Sequence, residues 1–176
     1  LLRLQSTQIQ NKKALESIKK GQDRIMSMAL VHEKLYKSKD FSKINFAQYM
    51  KDLSEHLFQT YRIAPETIEL HSDVKDISIN VNQAIPLGLI VNELITNALK
   101  HAFPGGKKGR IRISLKLNKN KERVLTVSDD GIGLPQNFDL ESTTTLGMVI
   151  VNDLVKQIDA RLIIRKSRGT AFTVIF

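Results

Sequence analysis

Apolar and polar positions alternate along the 176-residue chain with two different periods. Apolar residues recur three and four positions apart over residues 14–37, 45–62, 82–102 and 146–158, which predicts helices there. Alternation of apolar and polar residues predicts strands over residues 67–73, 77–80, 109–118, 123–128, 161–166 and 170–176. Helical residues therefore come first, followed by the order α, β, β, α, β, β, α, β, β. This order favours an α+β sandwich, with helices on one face of a mixed sheet.

The predicted helix of residues 14–37 carries a heptad seam. Its positions are three and four apart, namely Leu15, Ile18, Gln22, Ile25, Ala29, His32 and Tyr36. A second apolar stripe lies beside the seam, and residues 1–9 have the pattern of the end of an earlier helix. A helical hairpin with this much apolar surface needs further partners, and a four-helix bundle of two chains is the simplest solution. We expect the hairpin to span residues 1–40 and a second domain to span residues 41–176.

Composition narrows the classes of function. The chain has no Cys, which excludes disulfides and thiolate metal sites. No apolar run has the length of a membrane span and the N-terminus lacks the pattern of a signal peptide, so we expect a cytoplasmic location without membrane contact. The net charge of +9 permits nucleic-acid binding. However, aromatic residues do not interleave with the basic ones and no nucleic-acid motif appears, so we predict no such partner.

The helix of residues 82–102 carries the first candidate site. At α-helical spacing, Glu93, Asn97, Lys100 and His101 share one face. Carboxylate and amide oxygens suit a hard cation such as Mg²⁺, whereas Lys and His suit phosphate. An ordinary amphipathic helix with a polar outer face has the same pattern, so this helix alone does not decide between the two interpretations.

Three further motifs have chemistry that suits a nucleotide. In Asp129-x-Gly131-x-Gly133, a carboxylate at a strand end can accept a hydrogen bond from an exocyclic amine, and the glycines let the backbone approach a planar ring. Residues 143–148 lead into a helix N-terminus, where backbone N–H groups favour phosphate. The Thr170 hydroxyl, after Gly169, is suited to the edge of a base. Each motif alone is also typical of an ordinary turn, cap or hairpin. No P-loop or Rossmann motif is present.

Together, the order and spacing of these motifs resemble the ATP-binding domain of two-component sensor histidine kinases. The wider family includes gyrase, the ninety-kilodalton class of chaperone and the mismatch-repair ATPases. Residues 93–103 are similar to its N box, residues 129–133 and 145–148 to its glycine boxes, and Gly169-Thr170 to its last motif. Residues 1–6 and 24–38 are similar to the dimerisation domain of the branch with the second type of phosphoacceptor region. The resemblance implies a Bergerat-type sandwich preceded by a helical hairpin of a dimerisation bundle.

The resemblance also implies roles for individual residues. Asn97 would ligate Mg²⁺, and Asp129 would hold the adenine of ATP. Gly131 and Gly133 would line the base and the ribose, and Glu93 would orient Mg²⁺-bound water or act as a weak base. Residues 134–145 would form the lid over ATP. The other implied nucleotide contacts are Lys100, His101, Leu146, Gly147 and Thr170.

The implied reaction transfers the γ-phosphate of ATP to a histidine, and then to an aspartate in the receiver domain of a response regulator. A homodimer would form through the helical bundle. In this branch the acceptor histidine lies just upstream of a stretch that matches residues 1–5, so we expect a fragment that binds nucleotide but cannot autophosphorylate. His32, followed by Glu33, is the rival acceptor, but its position on the heptad seam favours packing.

Two other functions are compatible with the sequence. One is a non-catalytic nucleotide-binding module whose helical hairpin serves for dimerisation. The other is an anti-sigma-type serine kinase of the same superfamily, against which residues 1–37 argue, since such kinases do not need a bundle hairpin. The match also departs from the family pattern at Gly147, which has no glycine two residues before it.

Overall fold

The computed structural model of the chain describes residues 18, 21–22, 24–26, 29, 45–64, 66–75, 77–135, 138–140, 143 and 145–176. The α-helices are α1 (Phe46–Thr60), α2 (Val81–Asn97) and α3 (Leu146–Gln157), and a π-helical turn (Ala98–Ala102) continues α2. A short 3₁₀ turn, Pro104–Gly106, follows it. The strands are β1 (Ile68–Val74), β2 (Gly109–Leu117), β3 (Arg123–Asp129), β4 (Arg161–Ser167) and β5 (Gly169–Ile175).

The strands form one mixed sheet in the order β1-β2-β3-β5-β4. β1 runs parallel to β2, and the β2–β3, β3–β5 and β4–β5 pairs are antiparallel. Successive side chains of β2, β3 and β5 point alternately to the two faces of the sheet, as the geometry of a strand requires. Most of their apolar side chains lie on the same, buried face. The buried members are Ile111, Ile113, Leu115, Leu125, Val127, Phe172 and Val174. The predicted mixed sheet is confirmed.

The helices cover the buried face of this sheet and complete the core. α1 buries Phe46, Tyr49, Met50, Leu53 and Leu57, and the predicted cap Asn45 accepts a hydrogen bond from the Gln48 N–H at 2.9 Å. α2 is the central helix, because it packs against both α1 and α3. Side chains on every side of it are buried, as expected for a helix enclosed by its neighbours. The predicted α+β sandwich is therefore confirmed.

Two details of the prediction are wrong around the start of α2. Residues 77–80 do not form a strand, since only Ile79 makes a bridge. Asn80 instead caps α2, where its Oδ1 accepts the Gln83 N–H at 3.0 Å. An Asn side chain favours the N-cap position of a helix, which ends the extended stretch at Asn80. Pro86, predicted in the first helical turn, lies further inside the helix.

The described residues between 18 and 29 are helical, as the pattern of residues 14–37 predicts. We call residues 18, 21–22, 24–26 and 29 the N-terminal helical segment. Ile25 on the predicted heptad seam is 55% exposed. The predicted helix end over residues 1–9 and the rival acceptor His32 lie outside the described residues. Within the described part of the chain, no helix is both long enough and apolar enough to cross a membrane.

Candidate functional site

Asp129 lies where β3 ends and β5 begins. The two strands are antiparallel neighbours, so Asp129 pairs in register with Thr170. Its Oδ1 accepts the Gly131 N–H at 3.0 Å, and the Thr170 backbone N–H also donates to the carboxylate. Burial raises the pKa of Asp129 above its usual range, and these two donors offset only part of that effect. The result is a half-buried acceptor at the end of an interior strand, beside the buried Thr170.

The glycines of the Asp129-x-Gly131-x-Gly133 motif serve close backbone contacts. Gly131 lies directly against Ala102, where any Cβ would collide with the Ala102 backbone. The next residue, Ile132, donates its N–H to the Ala102 carbonyl at 2.9 Å. Gly133 has a φ of +76°, and a Cβ there would be 3.2 Å from the Gly169 carbonyl oxygen. The motif therefore joins the end of the central helix to the start of β5.

At the other end of the site, the central helix contacts α3. Gly147 lies in the first turn of α3, and a Cβ built on it would be 2.5 Å from Glu93 Oε2. One helical turn after Glu93, Asn97 Nδ2 donates to the Met148 sulfur at 3.5 Å. The structure therefore brings all four predicted motifs into one continuous arrangement, in the order α3, α2, first glycine motif, β5.

The π-helical turn alters the spacing on which the prediction for Lys100 and His101 rested. A π turn closes after five residues rather than four, so positions beyond Asn97 leave the face that an α-helix would give them. Lys100 Nζ lies 5.6 Å from the centroid of the Tyr61 ring, at the end of α1. The His101 side chain is exposed. Contact of these two residues with phosphate stays a prediction.

The structure also shows a residue beside the site that no local sequence pattern predicts there. Arg24, in the N-terminal helical segment, donates from Nε to Glu93 Oε1 at 2.7 Å. The Glu93 side chain is only 2% exposed and that of Arg24 17%. The two residues are 69 positions apart in sequence, which is why periodicity could not pair them.

The side chains of the site fit a magnesium nucleotide. Among the residues that the structure describes, Glu93 Oε2 is buried without a hydrogen-bond partner, and the one bond described for Asn97 uses its nitrogen and leaves its oxygen for other ligands. Across the described residues there is no group of three or more His, Cys, Asp or Glu suited to a metal. Mg²⁺ commonly takes one or two protein oxygens and completes its shell with water and phosphate oxygens. The half-buried Asp129 carboxylate suits an exocyclic amine, because such a group can donate a further hydrogen bond to it.

Comparisons with known protein families give two matches that together cover most of the chain. Residues 1–61 match a family described as histidine kinase. Residues 82–176 match the family described as histidine kinase-, DNA gyrase B-, and HSP90-like ATPase. The second match covers more than half of the chain and includes α2, α3 and four of the five strands.

Individual relatives point in the same direction. Sensor histidine kinase PdtaS of Mycobacterium tuberculosis is 32% identical over 186 aligned residues, which cover 99% of this chain and 35% of that protein. Blue-light-activated histidine kinase 2 of Erythrobacter litoralis is 32% identical over 108 residues, covering 61% of this chain and 31% of that protein. The chain therefore spans about a third of the length of these curated relatives.

A solved structure has the same fold. The histidine kinase domain of a blue-light-activated kinase from Erythrobacter litoralis superposes with a TM-score of 0.80 and 21% sequence identity. The alignment covers 99% of this chain and 92% of that one. At this identity the likeness establishes the fold alone.

Proposed function

Because the chain belongs to the two-component sensor histidine kinases and contains their ATPase domain, we propose that it binds Mg-ATP and supplies the γ-phosphate to a histidine. The observation that carries this proposal is the continuity of the site. Asp129, the Gly131–Ala102 contact, Asn97 and Gly147 follow one another along the central helix. A single nucleotide is the ligand that would use an adenine acceptor at one end and a helix N-terminus at the other.

Each residue has a role that its surroundings support. The Asp129 carboxylate would accept the adenine amino group, with Gly131 and Gly133 permitting the backbone to lie against base and ribose. The orphan N–H groups at the start of α3, of Leu146 and Gly147, would face the phosphates. Asn97 would hold Mg²⁺ through its amide oxygen. A bound Mg²⁺ neutralises phosphate charge, which together with alignment is most of what phosphoryl transfer requires.

The remaining contacts follow from the same arrangement. Thr170 is buried beside Asp129 and would place its hydroxyl at the edge of the base. Glu93 would orient water on the metal. Lys100 and His101 would face the phosphates, for which the Lys100 ammonium would have to move away from the ring of Tyr61. We further propose that residues 1–40 belong to a dimerisation hairpin, that residues 41–176 form the ATP-binding domain, and that the phosphate passes to a response-regulator receiver domain.

Isothermal calorimetry with ADP and Mg²⁺ tests the nucleotide site. Asp129→Asn replaces the charged acceptor, and a hydrogen bond to a charged group is worth about 1.5–3 kcal/mol. We therefore expect the affinity to fall by roughly tenfold to 150-fold. Asp130→Asn is the matched control, since Asp130 is the exposed neighbour and its Oδ1 can still accept the Arg110 N–H as an amide. Equal affinity of wild type and Asp129→Asn would refute the adenine assignment.

A further inference from the structure

The cation that pairs with Glu93 comes from outside the ATP-binding domain. Arg24 belongs to the N-terminal helical segment, and its Nε lies 2.7 Å from Glu93 Oε1. Arg161 and Glu122 form a pair with the same 2.7 Å distance, but their side chains are 69% and 35% exposed. The corresponding exposures of Arg24 and Glu93 are 17% and 2%. Water screens the exposed pair of Arg161 and Glu122 but hardly reaches the pair of Arg24 and Glu93. Only the Arg24–Glu93 pair can therefore have a large energetic effect.

The two oxygens of Glu93 face different parts of the molecule. Oε1 contacts Arg24 in the N-terminal helical segment. Oε2 is buried, has no hydrogen-bond partner in the described part of the chain, and lies against Gly147 in the first turn of α3. The carboxylate therefore bridges the N-terminal helical segment to the helix that follows the predicted lid. Movement of either element changes the surroundings of the same buried charge.

A buried carboxylate cannot stay charged and in place without compensation. Removal of one partner from a buried ion pair leaves the other charge desolvated, which the protein relieves by local rearrangement. Glu93 lies one helical turn before Asn97, so a rearrangement of its side chain would disturb the oxygen ligands expected for Mg²⁺. The Arg24 guanidinium prevents this while the N-terminal helical segment is docked.

We propose that Arg24 is a positioning residue of the nucleotide site, which acts through Glu93. The N box is ordered for a magnesium nucleotide only while the N-terminal helical segment supplies this guanidinium. The affinity for a magnesium nucleotide therefore depends on the position of the N-terminal helical segment. This inference rests on the proposed function, since it assigns a further residue to the same site.

Calorimetry with ADP on the 176-residue chain tests the proposal, with Mg²⁺ and with EDTA. We expect Arg24→Met to weaken Mg-ADP binding by about tenfold or more, as for other truncated buried charge pairs. Arg24→Lys keeps the charge and should recover part of this loss. Arg161→Met removes an exposed arginine from a pair of equal length and should stay within about twofold. In EDTA the Arg24→Met effect should shrink, because metal-free ADP does not depend on the order of Glu93.

A double-mutant cycle separates positioning from packing. Glu93→Gln replaces the carboxylate with a neutral amide that needs no cation. In that background Arg24→Met should change the Mg-ADP affinity by less than about threefold. Urea unfolding without nucleotide gives an independent measurement: the midpoint should show coupling between Arg24 and Glu93 that exceeds the coupling between Arg161 and Glu122. If Arg24→Met does not fold, Arg24→Lys in both Glu93 backgrounds provides the same comparison.

Several outcomes would overturn the proposal. Arg24→Met could bind Mg-ADP as Arg161→Met does, or it could lose equal affinity whether residue 93 is Glu or Gln, which would indicate packing alone. In either case a loss of affinity in Asp129→Asn would leave the proposed function standing. Absence of Mg-ADP binding to the wild-type chain would remove both.

Discussion

Substitution of Gly131 by alanine tests the joint between the first glycine motif and the central helix. A Cβ at this position would be 2.6 Å from the Ala102 Cβ and 2.7 Å from its carbonyl carbon, and closer still to the carbonyl oxygen. Ordinary carbon contacts begin near 3.4 Å. The two backbone segments would therefore have to separate by roughly 0.8 Å or more.

This separation has a calculable cost. It would break the hydrogen bond of 2.9 Å from the Ile132 N–H to the Ala102 carbonyl. Overpacking against a buried residue costs about 1–3 kcal/mol, and the carbonyl of the buried Ala102, left without its partner, costs about as much again. Since the two effects overlap, we expect the free energy of unfolding to fall by about 2–4 kcal/mol. The Gly131 N–H also donates to Asp129, so the Mg-ADP affinity should fall by at least about tenfold.

Urea denaturation and calorimetry measure these two effects. The matched control is Gly21→Ala, because Gly21 is helical and no atom of the described residues lies within 4 Å of a Cβ built on it. Alanine there should raise the free energy of unfolding by about 0.5–1 kcal/mol. A Gly131→Ala protein with the midpoint and the Mg-ADP affinity of wild type would show that the close contact with Ala102 does not hold the motif in place.

Three further predictions concern the same site. Burial raises the pKa of Asp129, so the carboxyl group of Asp129 binds a proton more tightly in the folded protein than in the unfolded chain. The stability that this proton contributes is lost as pH rises from the ordinary pKa of 3.8 through the raised pKa. The urea midpoint of wild type should therefore fall relative to that of Asp129→Asn as pH rises over that window; parallel pH profiles would contradict this. Gly147→Ala would place a Cβ 2.5 Å from Glu93 Oε2, and this carboxylate has little freedom to move because it is buried and paired with Arg24. The substitution should therefore lower the free energy of unfolding by about 1–3 kcal/mol and weaken Mg-dependent ADP binding. An Mg-ADP titration and a urea midpoint that both match wild type would argue against that contact. Tyr61→Leu removes the ring 5.6 Å from Lys100 Nζ. The free energy of unfolding should fall by about 0.5–1 kcal/mol more in the wild-type background than in a Lys100→Met background, where the cation is absent. A double-mutant cycle by urea denaturation measures this difference.

Much of the fold could be predicted from the sequence because its elements have clear periods. The alternation of Ile111, Ile113 and Leu115 predicts β2, and all three are buried in the sheet. The stretch of residues 77–80 also alternates, but it is too short for pairing to outweigh the capping preference of Asn80. Local patterning therefore fails where a short apolar pattern and a strong capping residue predict different structures.

The candidate site is predictable only in part, for two physical reasons. Motif spacing brings Asp129 and Gly131 to the right strand end, and the structure places them against the central helix. The spacing of Lys100 presumes an α-helix of 3.6 residues per turn, which the π-helical turn does not follow. The pairing of Arg24 with Glu93 depends on tertiary packing between distant segments, for which the sequence has no local signal.

The parallel pairing of β1 with β2 has a consequence for how this chain folds. The β2–β3 and β4–β5 hairpins close over turns of a few residues, whereas Glu69 pairs with Arg110, 41 positions further along the chain, and all of α2 lies between them. Closure of a long loop is entropically slower than closure of a hairpin, so we expect the hairpins to form early and β1 to join late. The helix that carries Glu93 and Asn97 is the crossover in that late step. Substitutions that weaken α2 should therefore slow refolding as well as change the site, so the rate of folding depends on the helix that carries the residues proposed to hold the magnesium nucleotide.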